Sequence, residues 1–551
     1  MNHTEKKTVL YKNAKIFTSD RENLWADAMI VTGGRVRWVG FEKNMKGVSE
    51  AASLAETAEI IDLGGRTVLP GFVDAHMHPI MLADYSTMIS ALPPEVNSIA
   101  ELTAKIAERS NAMTAEEAAR AVRGELWIRG WGYDEGKFAE HRAPNRYDLD
   151  AGAERAPVLV HRTCAHVICV NSKALELAGI TADTPDPEGG QIDRDENGEP
   201  TGVLRETAKN LIEPFLPVPS HDELVQQIVD LGKILEKQGV VAVADMGLFD
   251  ASDTYALLSD AAKAGFAQRA AVYYMWNYFL DNPPVMTEEM KDHDKQIYVA
   301  GVKTVGDGSI SGRTAWLYEP YLGGSKDDCG ICVCSDEVLE SALAFAKKHG
   351  IQLSMHAMGG QAIDRIIRRA ENEKKWTNGE TWPHLRLEHL TEPTEYSIDE
   401  AIKKGYAFVT QPIFQYSEIE SYLKNMGLER TCRDYPIRTM LERGVNLALS
   451  TDAPATSWAT PSDPLPNIKA AVTRIAYDGT DYSKGERDER LTVEEAIYLY
   501  TRAGALILGM NDSGGLHPGA RADFLVLSDD IFTIDPMRID EIKIEAHTVF
   551  F

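Results

Sequence analysis

The chain has 551 residues, which is too long for one ordinary hydrophobic core, so two or three structural units are expected. Its composition, 44% hydrophobic and 26% charged, is typical of a globular protein. The formal net charge of -27 argues against a nucleic-acid partner and against binding to an anionic membrane surface.

The sequence also bears on the cellular compartment. The N-terminal residues lack the apolar core of a signal peptide, and no apolar run approaches the length of a membrane span. The six cysteines are scattered, with no second Cys or His pair at zinc-finger spacing. Because reducing compartments keep such thiols free, these features predict a cytoplasmic protein without a membrane partner.

Both ends of the chain carry short β-rich stretches. Thr8–Phe17 and Ala28–Thr32 are strand-like, and glycine pairs mark the turns between the strands of this region. Near the other end, Asp523–Ser528 is also strand-like. We therefore expect residues 1–68 and 506–551 to form the two parts of one β-sandwich.

Between these ends, strands and helices alternate. Eight strands are predicted, at 68–76, 240–246, 268–276, 296–305, 352–356, 385–389, 406–410 and 446–451. This alternation predicts an α/β fold with a (β/α)8 TIM-type barrel over residues 69–505. A doubly wound open sheet is the alternative, but no glycine-rich phosphate loop follows a strand. Residues 82–220 are predicted to be an insertion after the first barrel strand, with 181–201 as an exposed loop.

Polar side chains stand at the carboxyl ends of the predicted strands, where barrels of this type place their chemistry. His76 and His78 end the first strand, and side chains two residues apart point to the same face of a strand. The later strands end in His356, His389 and Asp452. Neutral imidazole and carboxylate groups suit zinc and neighbouring divalent ions, so these residues predict a metal site.

Lys303 on the fourth strand is the exception, because an ammonium group is no metal ligand. A carbamylated lysine would carry a carboxylate that can bridge two metals. The alternative is an ion pair with Asp307 or Asp452.

Several of these stretches resemble the amidohydrolase superfamily. They include Gly71–Pro79, Trp127–Tyr133, Gly301–Ala315 and Ser450–Pro454, and the matching segments extend through most of the chain. The His-x-His pair with the later Lys, His, His and Asp is specific to the superfamily. The Lys-x4-Asp-Gly-Ser and Trp-x2-Gly-Trp runs resemble the amidohydrolase-3 branch, which contains N-substituted formamide deformylases. The resemblance implies a metal-bearing barrel with a composite β-sandwich.

The resemblance also implies roles for the residues at the strand ends. His76 and His78 would hold the more buried metal, and Asp452 would ligate it and act as base toward the attacking water. These roles make Asp452 both a metal ligand and a catalytic residue.

A second metal position follows from the same resemblance. Lys303, once carboxylated, would bridge the first ion to a second one held by His356 and His389. Because the branch varies in metal number, one or two divalent ions are expected, with Zn2+ first and Mn2+ or Fe2+ as alternatives.

The implied reaction is hydrolysis of a small-molecule amide at a C–N bond other than a peptide bond, by metal-activated water. An N-substituted formamide is the nearest precedent. A cyclic imide, a carbamate or an N-acyl amino acid is an alternative substrate, and a non-catalytic barrel that acts as a binding module is the alternative outside enzymes. A homodimer is the default expectation.

Three further candidates lie in the insertion. Trp131 and Tyr133 either line an apolar substrate pocket or pack in a core. His166 lies close to the Asn171–Leu175 run, and it either contacts the substrate or the oxyanion as a catalytic residue or caps a local turn.

Two more substrate-binding candidates lie on the barrel. Arg313 follows the fourth strand and is predicted to bind a carboxylate or an aromatic ring, with a salt bridge to Asp307 or Glu319 as the alternative. Gln411 ends the seventh strand and is predicted to face the same mouth.

Overall fold

The computed structural model describes residues 7–163, 167–379 and 381–548, and the chain divides into two compact units. The first unit comprises Met1–Ile80, Ile228–Thr456 and Ser462–Phe551. The second comprises Met81–Gln227 and Ser457–Pro461, and it contains the predicted insertion.

Eight parallel strands of the first unit form the barrel, in the order of the chain. They are Phe72–Met77, Val240–Asp245, Arg269–Met275, Ile297–Val305, Gln352–Ala357, Leu385–His389, Ala407–Thr410 and Asn446–Leu449. Their residues are almost all buried, as expected for strands covered by helices outside and packed side chains inside. The predicted TIM-type barrel is confirmed.

The first and last barrel strands are joined at their carboxyl ends. The backbone N–H of Asp452 donates to the carbonyl of His76 at 2.8 Å, and the N–H of His78 donates to the carbonyl of Ala453 at 2.7 Å. The barrel is therefore held together at the point where the candidate metal ligands emerge.

The β-sandwich consists of two sheets and uses both ends of the chain. In spatial order, the strands of the first sheet are Ile544–Thr548, Phe524–Leu527, Thr67–Pro70, Lys15–Phe17 and Trp25–Ala26. Those of the second sheet are Arg35–Gly40, Ala28–Thr32, Thr8–Lys12 and Glu59–Asp62. Ile16 and Phe524 of the first sheet pack in one core with Met29 of the second sheet, so the composite sandwich is confirmed.

The predicted strand over 68–76 is wrong in one respect, because the chain breaks it at Gly71. Thr67–Pro70 belongs to the sandwich, whereas Phe72–Met77 is the first barrel strand. A Cβ atom on Gly71 would lie 2.4 Å from Val241 Cγ1, so only glycine fits where the chain passes from one sheet to the other.

Helices of the first unit alternate with the barrel strands or flank the sandwich. The α-helices are Glu42–Met45, Ser49–Thr57, Thr254–Ala264, Asp336–His349, Gly360–Ala370, Glu395–Lys404, Ile413–Ser417, Ile419–Met426, Leu428–Arg433, Ile437–Arg443, Pro464–Thr473, Val493–Tyr498 and Gly504–Leu508. A π-helical turn covers Leu499–Ala503, and 3-10 turns cover Trp276–Tyr278, Glu289–Lys291 and Pro536–Glu541. Pro79–Tyr85 and His221–Lys237 contain residues of both units.

The second unit has its own sheet and core. In spatial order, the strands are Gly190–Arg194, Pro200–Glu206, Val167–Val170, Val158–Arg162, Ile128–Tyr133 and Ile89–Ser90. The helices are Ile99–Asn111, Ala115–Val122, Arg146–Gly152 and Ser172–Ala178, with 3-10 turns at Thr207–Leu211 and Glu213–Phe215.

The prediction of a loop over 181–201 is wrong in part, because Gly190–Arg194 forms the edge strand of this sheet. Its polar composition suits an edge strand, while Ile192, which pairs with Leu204, is buried. Among the residues described, none of the helices has the length and apolar character that crossing a bilayer requires.

Candidate metal centre

Three candidate ligands converge at the carboxyl end of the barrel. His76 and His78 leave the first strand on the same face, and Asp452 follows the eighth strand. His76 Nε2 lies 3.1 Å and His78 Nε2 lies 3.5 Å from Asp452 Oδ1. One possible ligand atom from each residue lies within 4.8 Å of the other two, and all three residues are buried.

The partners of the two imidazoles determine which ring nitrogen faces Asp452. His78 Nδ1 lies 2.8 Å from the carbonyl of Gly247, which can only accept, so His78 carries its hydrogen on Nδ1. Burial lowers the pKa of His78 to about 4, which leaves Nε2 with a free lone pair near neutral pH. His76 Nδ1 likewise lies 2.7 Å from Glu388 Oε2.

The donor set fits a divalent cation. Two imidazole lone pairs and the carboxylate of Asp452 face one another, and buried Asp452 Oδ1 accepts no hydrogen bond from the residues described. A buried carboxylate oxygen without a donor is costly unless a cation lies beside it, and two imidazoles with one carboxylate suit zinc.

His389 and His356 lie close by but outside this cluster. His389 Nδ1 is 2.9 Å from Gln411 Oε1 and 3.9 Å from Asp452 Oδ2. His356 Nε2 is 2.9 Å from the carbonyl of Gly308, and the rings of His356 and His389 are 4.3 Å apart between centroids. Burial lowers the pKa of His356 to about 4 and that of His389 well below its usual value, so both are neutral near pH 7.

Lys303 is buried beside the cluster, with only 2% of its surface exposed. Within the described part of the chain, its Nζ has no hydrogen bond and no carboxylate oxygen within 4.0 Å, so the ion pair with Asp307 or Asp452 is not formed. Burial lowers the pKa of Lys303 to about 8, against the opposing influence of Glu388 and Asp452.

The backbone is strained where two of these side chains leave their strands. His389 and Leu390 have φ values of 78° and 55°, and Asp452 has a φ of 57°. Non-glycine residues in this left-handed region cost about 1–3 kcal/mol each and cluster at functional sites, where the surrounding structure maintains them.

Asp74 connects the two strands that carry the cluster. Its Oδ1 accepts from the backbone N–H of His76 and of Thr451, both at 3.2 Å. Its Oδ2 accepts from Thr451 Oγ1 at 2.6 Å and from Tyr500 Oη at 3.0 Å. Burial raises the pKa of Asp74 to about 6. Asp74 is therefore a clamp between the two strands that carry the candidate ligands.

Asp307 supports the neighbouring part of the site. Its carboxylate accepts from the backbone N–H of Trp316, Met358 and Gly359 at 2.8–3.0 Å, and its Oδ1 lies 3.5 Å from His356 Nε2. Burial raises the pKa of Asp307 to about 7. It therefore ties the loop after the fourth strand to the segment that follows His356.

Glu388 and Arg386 are site residues that the sequence analysis did not assign. Both are fully buried on the sixth strand, and although burial alone would raise it, the Arg386 guanidinium holds the pKa of Glu388 well below its usual range. Their spacing in the sequence could have indicated this pair, because two charged side chains two residues apart in an apolar barrel strand point to the same face.

The predicted substrate-binding residues have the following surroundings. Arg313 is paired with Asp328 at 2.6 Å, so the suggested partners Asp307 and Glu319 are wrong. Gln411 Nε2 donates to Ser450 Oγ at 2.8 Å while its Oε1 faces His389. Whether these side chains contact substrate stays a prediction.

The candidates in the insertion belong to the second unit. Trp131 and Tyr133 are buried; Tyr133 packs in that unit's core, and the Trp131 ring lies 5.1 Å from the ring of Tyr85. His166 lies outside the described residues. The substrate roles of all three remain predictions.

The family model described as "Amidohydrolase family" matches residues 59–550. The chain belongs to the amidohydrolase family. The N-substituted formamide deformylase of Arthrobacter pascens is 28% identical over 550 residues, covering 96% of this chain and 94% of that protein. Protein LONG AFTER FAR-RED 3 of Arabidopsis thaliana is 28% identical over 537 residues, covering 94% and 87%.

A solved structure extends this similarity to the fold. An uncharacterized metal-dependent hydrolase from Pyrococcus furiosus superposes with a TM-score of 0.71 at 26% identity, covering 96% of this chain and all of that one. This amidohydrolase thus shares its fold with a metal-dependent hydrolase, and its buried cluster of two histidines and an aspartate agrees with that class.

Proposed function

We propose that this amidohydrolase cleaves a small, neutral amide at a C–N bond other than a peptide bond, with an N-substituted formamide as the first substrate to test. The convergence of His76 Nε2, His78 Nε2 and Asp452 Oδ1 at the carboxyl end of the barrel carries the proposal. The similarity to a formamide deformylase over nearly the whole chain supports the substrate class.

The donor set favours Zn2+ as the ion, with Mn2+ or Fe2+ as alternatives. Such an ion, when bound, lowers the pKa of a water molecule toward 7 and polarises a carbonyl group. His76 and His78 would hold it through Nε2, because their Nδ1 atoms are hydrogen-bonded to Glu388 and to the Gly247 carbonyl. These hydrogen bonds keep the two rings from turning.

Asp452 is the residue that we assign to proton transfer. Its Oδ1 faces the two imidazoles, whereas its Oδ2 is 3.9 Å from His389 Nδ1. Oδ2 would accept the proton of the attacking water and return it to the departing nitrogen, so one carboxylate serves as base and then as acid. The reaction needs no nucleophilic serine and no acyl-enzyme.

We further propose that Lys303, His356 and His389 complete a second ion position. A carboxylated Lys303 would add the negative charge that a second divalent ion requires. Protein prepared with bicarbonate and zinc is expected to show about two ions per chain and a carboxylated Lys303 in intact-mass analysis. About one ion per chain with an unmodified lysine would support a one-ion site instead.

The test of function is a substrate panel with metal analysis. We expect N-substituted formamides to be hydrolysed. Cyclic imides, carbamates and N-acyl amino acids are tested in the same panel as the alternative substrates. An Asp452→Asn variant should lose about 100-fold or more in kcat, the range of general acid-base catalysis. Less than about 0.5 ion per chain, with no activity after addition of zinc or manganese, would refute the catalytic assignment and favour a binding module.

We propose that the protein acts on a small molecule in the cytoplasm, without a nucleic-acid or membrane partner. The net charge of -27 opposes nucleic-acid and anionic-membrane partners. Cys169, Cys329, Cys332, Cys334 and Cys432 are free thiols, which supports a cytoplasmic location. We propose a homodimer as the state to test by sedimentation.

A further inference from the structure

Glu388 contacts His76 on the side of the ring away from Asp452. Glu388 Oε2 lies 2.7 Å from His76 Nδ1, and the opposite nitrogen, Nε2, lies 3.1 Å from Asp452 Oδ1. The side chains of Glu388 and His76 are 0% and 1% exposed, so water does not compete for this contact. Glu388 is therefore the direct neighbour of one candidate ligand without facing the ion position itself.

The carboxylate of Glu388 is fixed from several directions. Its Oε1 accepts from Ser354 Oγ at 2.7 Å and from Arg386 Nε at 2.5 Å, and its Oε2 accepts from Arg386 Nη2 at 2.9 Å. Arg386 is itself held, because Nη2 donates to the carbonyl of Ala75 at 2.6 Å and Nη1 to Tyr273 Oη at 3.1 Å. This network joins strand six to strand one within the barrel, directly beneath His76.

The two histidines of the cluster differ in the charge of their partners. His78 Nδ1 faces the neutral carbonyl of Gly247, whereas His76 Nδ1 faces a carboxylate. A carboxylate that accepts the Nδ1 hydrogen of an imidazole fixes the tautomer and the ring orientation, and it raises the basicity of Nε2 as a ligand. His76 should therefore be the stronger ligand of the pair.

We propose that Glu388 is a positioning residue for the metal: it holds His76 with its hydrogen on Nδ1 and presents Nε2 to the ion, and Arg386 keeps Glu388 in place. Because Glu388 is fully buried and faces Nδ1 of His76, it would contact neither the substrate nor the reacting atoms. The inference rests on the proposed function only in that it assumes a metal at this site, since its main test needs no substrate.

The first test is metal affinity in competition with a chromophoric chelator, using zinc alone as the probe. Glu388→Gln retains the volume but removes the charge, and we expect it to bind zinc about 10–100-fold more weakly than the parent protein. Glu388→Asp, which keeps the charge on a shorter side chain, should recover part of the loss. Ser354→Ala, which removes one of the hydrogen bonds that fix this carboxylate but leaves its charge, should weaken zinc binding less than Glu388→Gln does.

A folded Glu388→Gln variant with unchanged zinc affinity would overturn the proposal, since Glu388 would then serve only to neutralise Arg386. Circular dichroism melting of each metal-free variant separates loss of affinity from loss of fold.

A second measurement uses the unaltered chain, so that it stands even if Glu388→Gln does not fold. Nitrogen-15 NMR of histidine-labelled, metal-free protein reports the tautomer of each imidazole, and a His76→Asn variant assigns the His76 signal among the 14 histidines. We expect the hydrogen on Nδ1, and a hydrogen on Nε2 would overturn the proposal. Failure of every amide in the panel, with zinc affinity and tautomer as expected, would refute the proposed reaction and leave this inference intact.

Discussion

Asp74 should determine whether the two ligand strands keep their relative position. Its carboxylate accepts four hydrogen bonds, which come from His76, from Thr451 twice and from Tyr500. Asp74→Ala removes all four acceptor contacts at a site that is 0% exposed. The two hydroxyl groups can turn toward other partners, but the backbone N–H groups of His76 and Thr451 cannot.

The structure sets the size of the expected effect. Two buried N–H groups without partners cost about 1–3 kcal/mol each, so Asp74→Ala should lower the free energy of unfolding by about 2–6 kcal/mol. Because the freed segments carry His76 and Asp452, kcat should also fall. Displacement of a catalytic group by about 1 Å can lower the reaction rate roughly 100-fold. Asp74→Asn is the matched control, because its carbonyl oxygen can still accept from both N–H groups.

The assay is urea unfolding of the metal-free variants at about pH 8, where Asp74, with a pKa of about 6, is ionised. The same preparations are then titrated with zinc and assayed on the best substrate of the panel. If the free energy of unfolding of Asp74→Ala lies within about 1 kcal/mol of the parent value and kcat is unchanged, Asp74 does not hold the two ligand strands in position.

Three further predictions concern other parts of the molecule. Gly71→Ala should lower the free energy of unfolding by about 1–3 kcal/mol in urea, because its Cβ would overlap Val241, and an unchanged value would contradict the close approach. Burial lowers the pKa of His384 to about 4. Since its unfolded value is near 6.5, the protein should lose up to about 3 kcal/mol as pH falls from about 6.5 to about 4, and His384→Phe should reduce that loss in acid melting curves. Chelation should abolish hydrolysis and lower the melting temperature, and added zinc should restore both; activity that survives complete metal removal would contradict the metal centre.

Much of the fold could be predicted because it depends on local patterns. Apolar runs of strand length alternate with amphipathic helices, and that alternation indicated the barrel without any knowledge of which strands pair. Residues 181–201 show the limit of this reasoning, because a polar edge strand and a polar loop have similar compositions. The break at Gly71 was also hidden, since the apolar run continues through it while the chain passes from the sandwich to the barrel.

The sequence by itself determined which residues stand at the carboxyl ends of the strands, and hence the candidate ligands His76, His78 and Asp452. Spacing along one strand is a local property, so the shared direction of the two histidines was predictable. Only the tertiary structure decided what supports them. Glu388 lies 312 residues from His76, and Thr451 lies 377 residues from Asp74. Such partners meet because barrel closure brings the last strand beside the first and turns the polar face of strand six toward them, and no local pattern encodes that register.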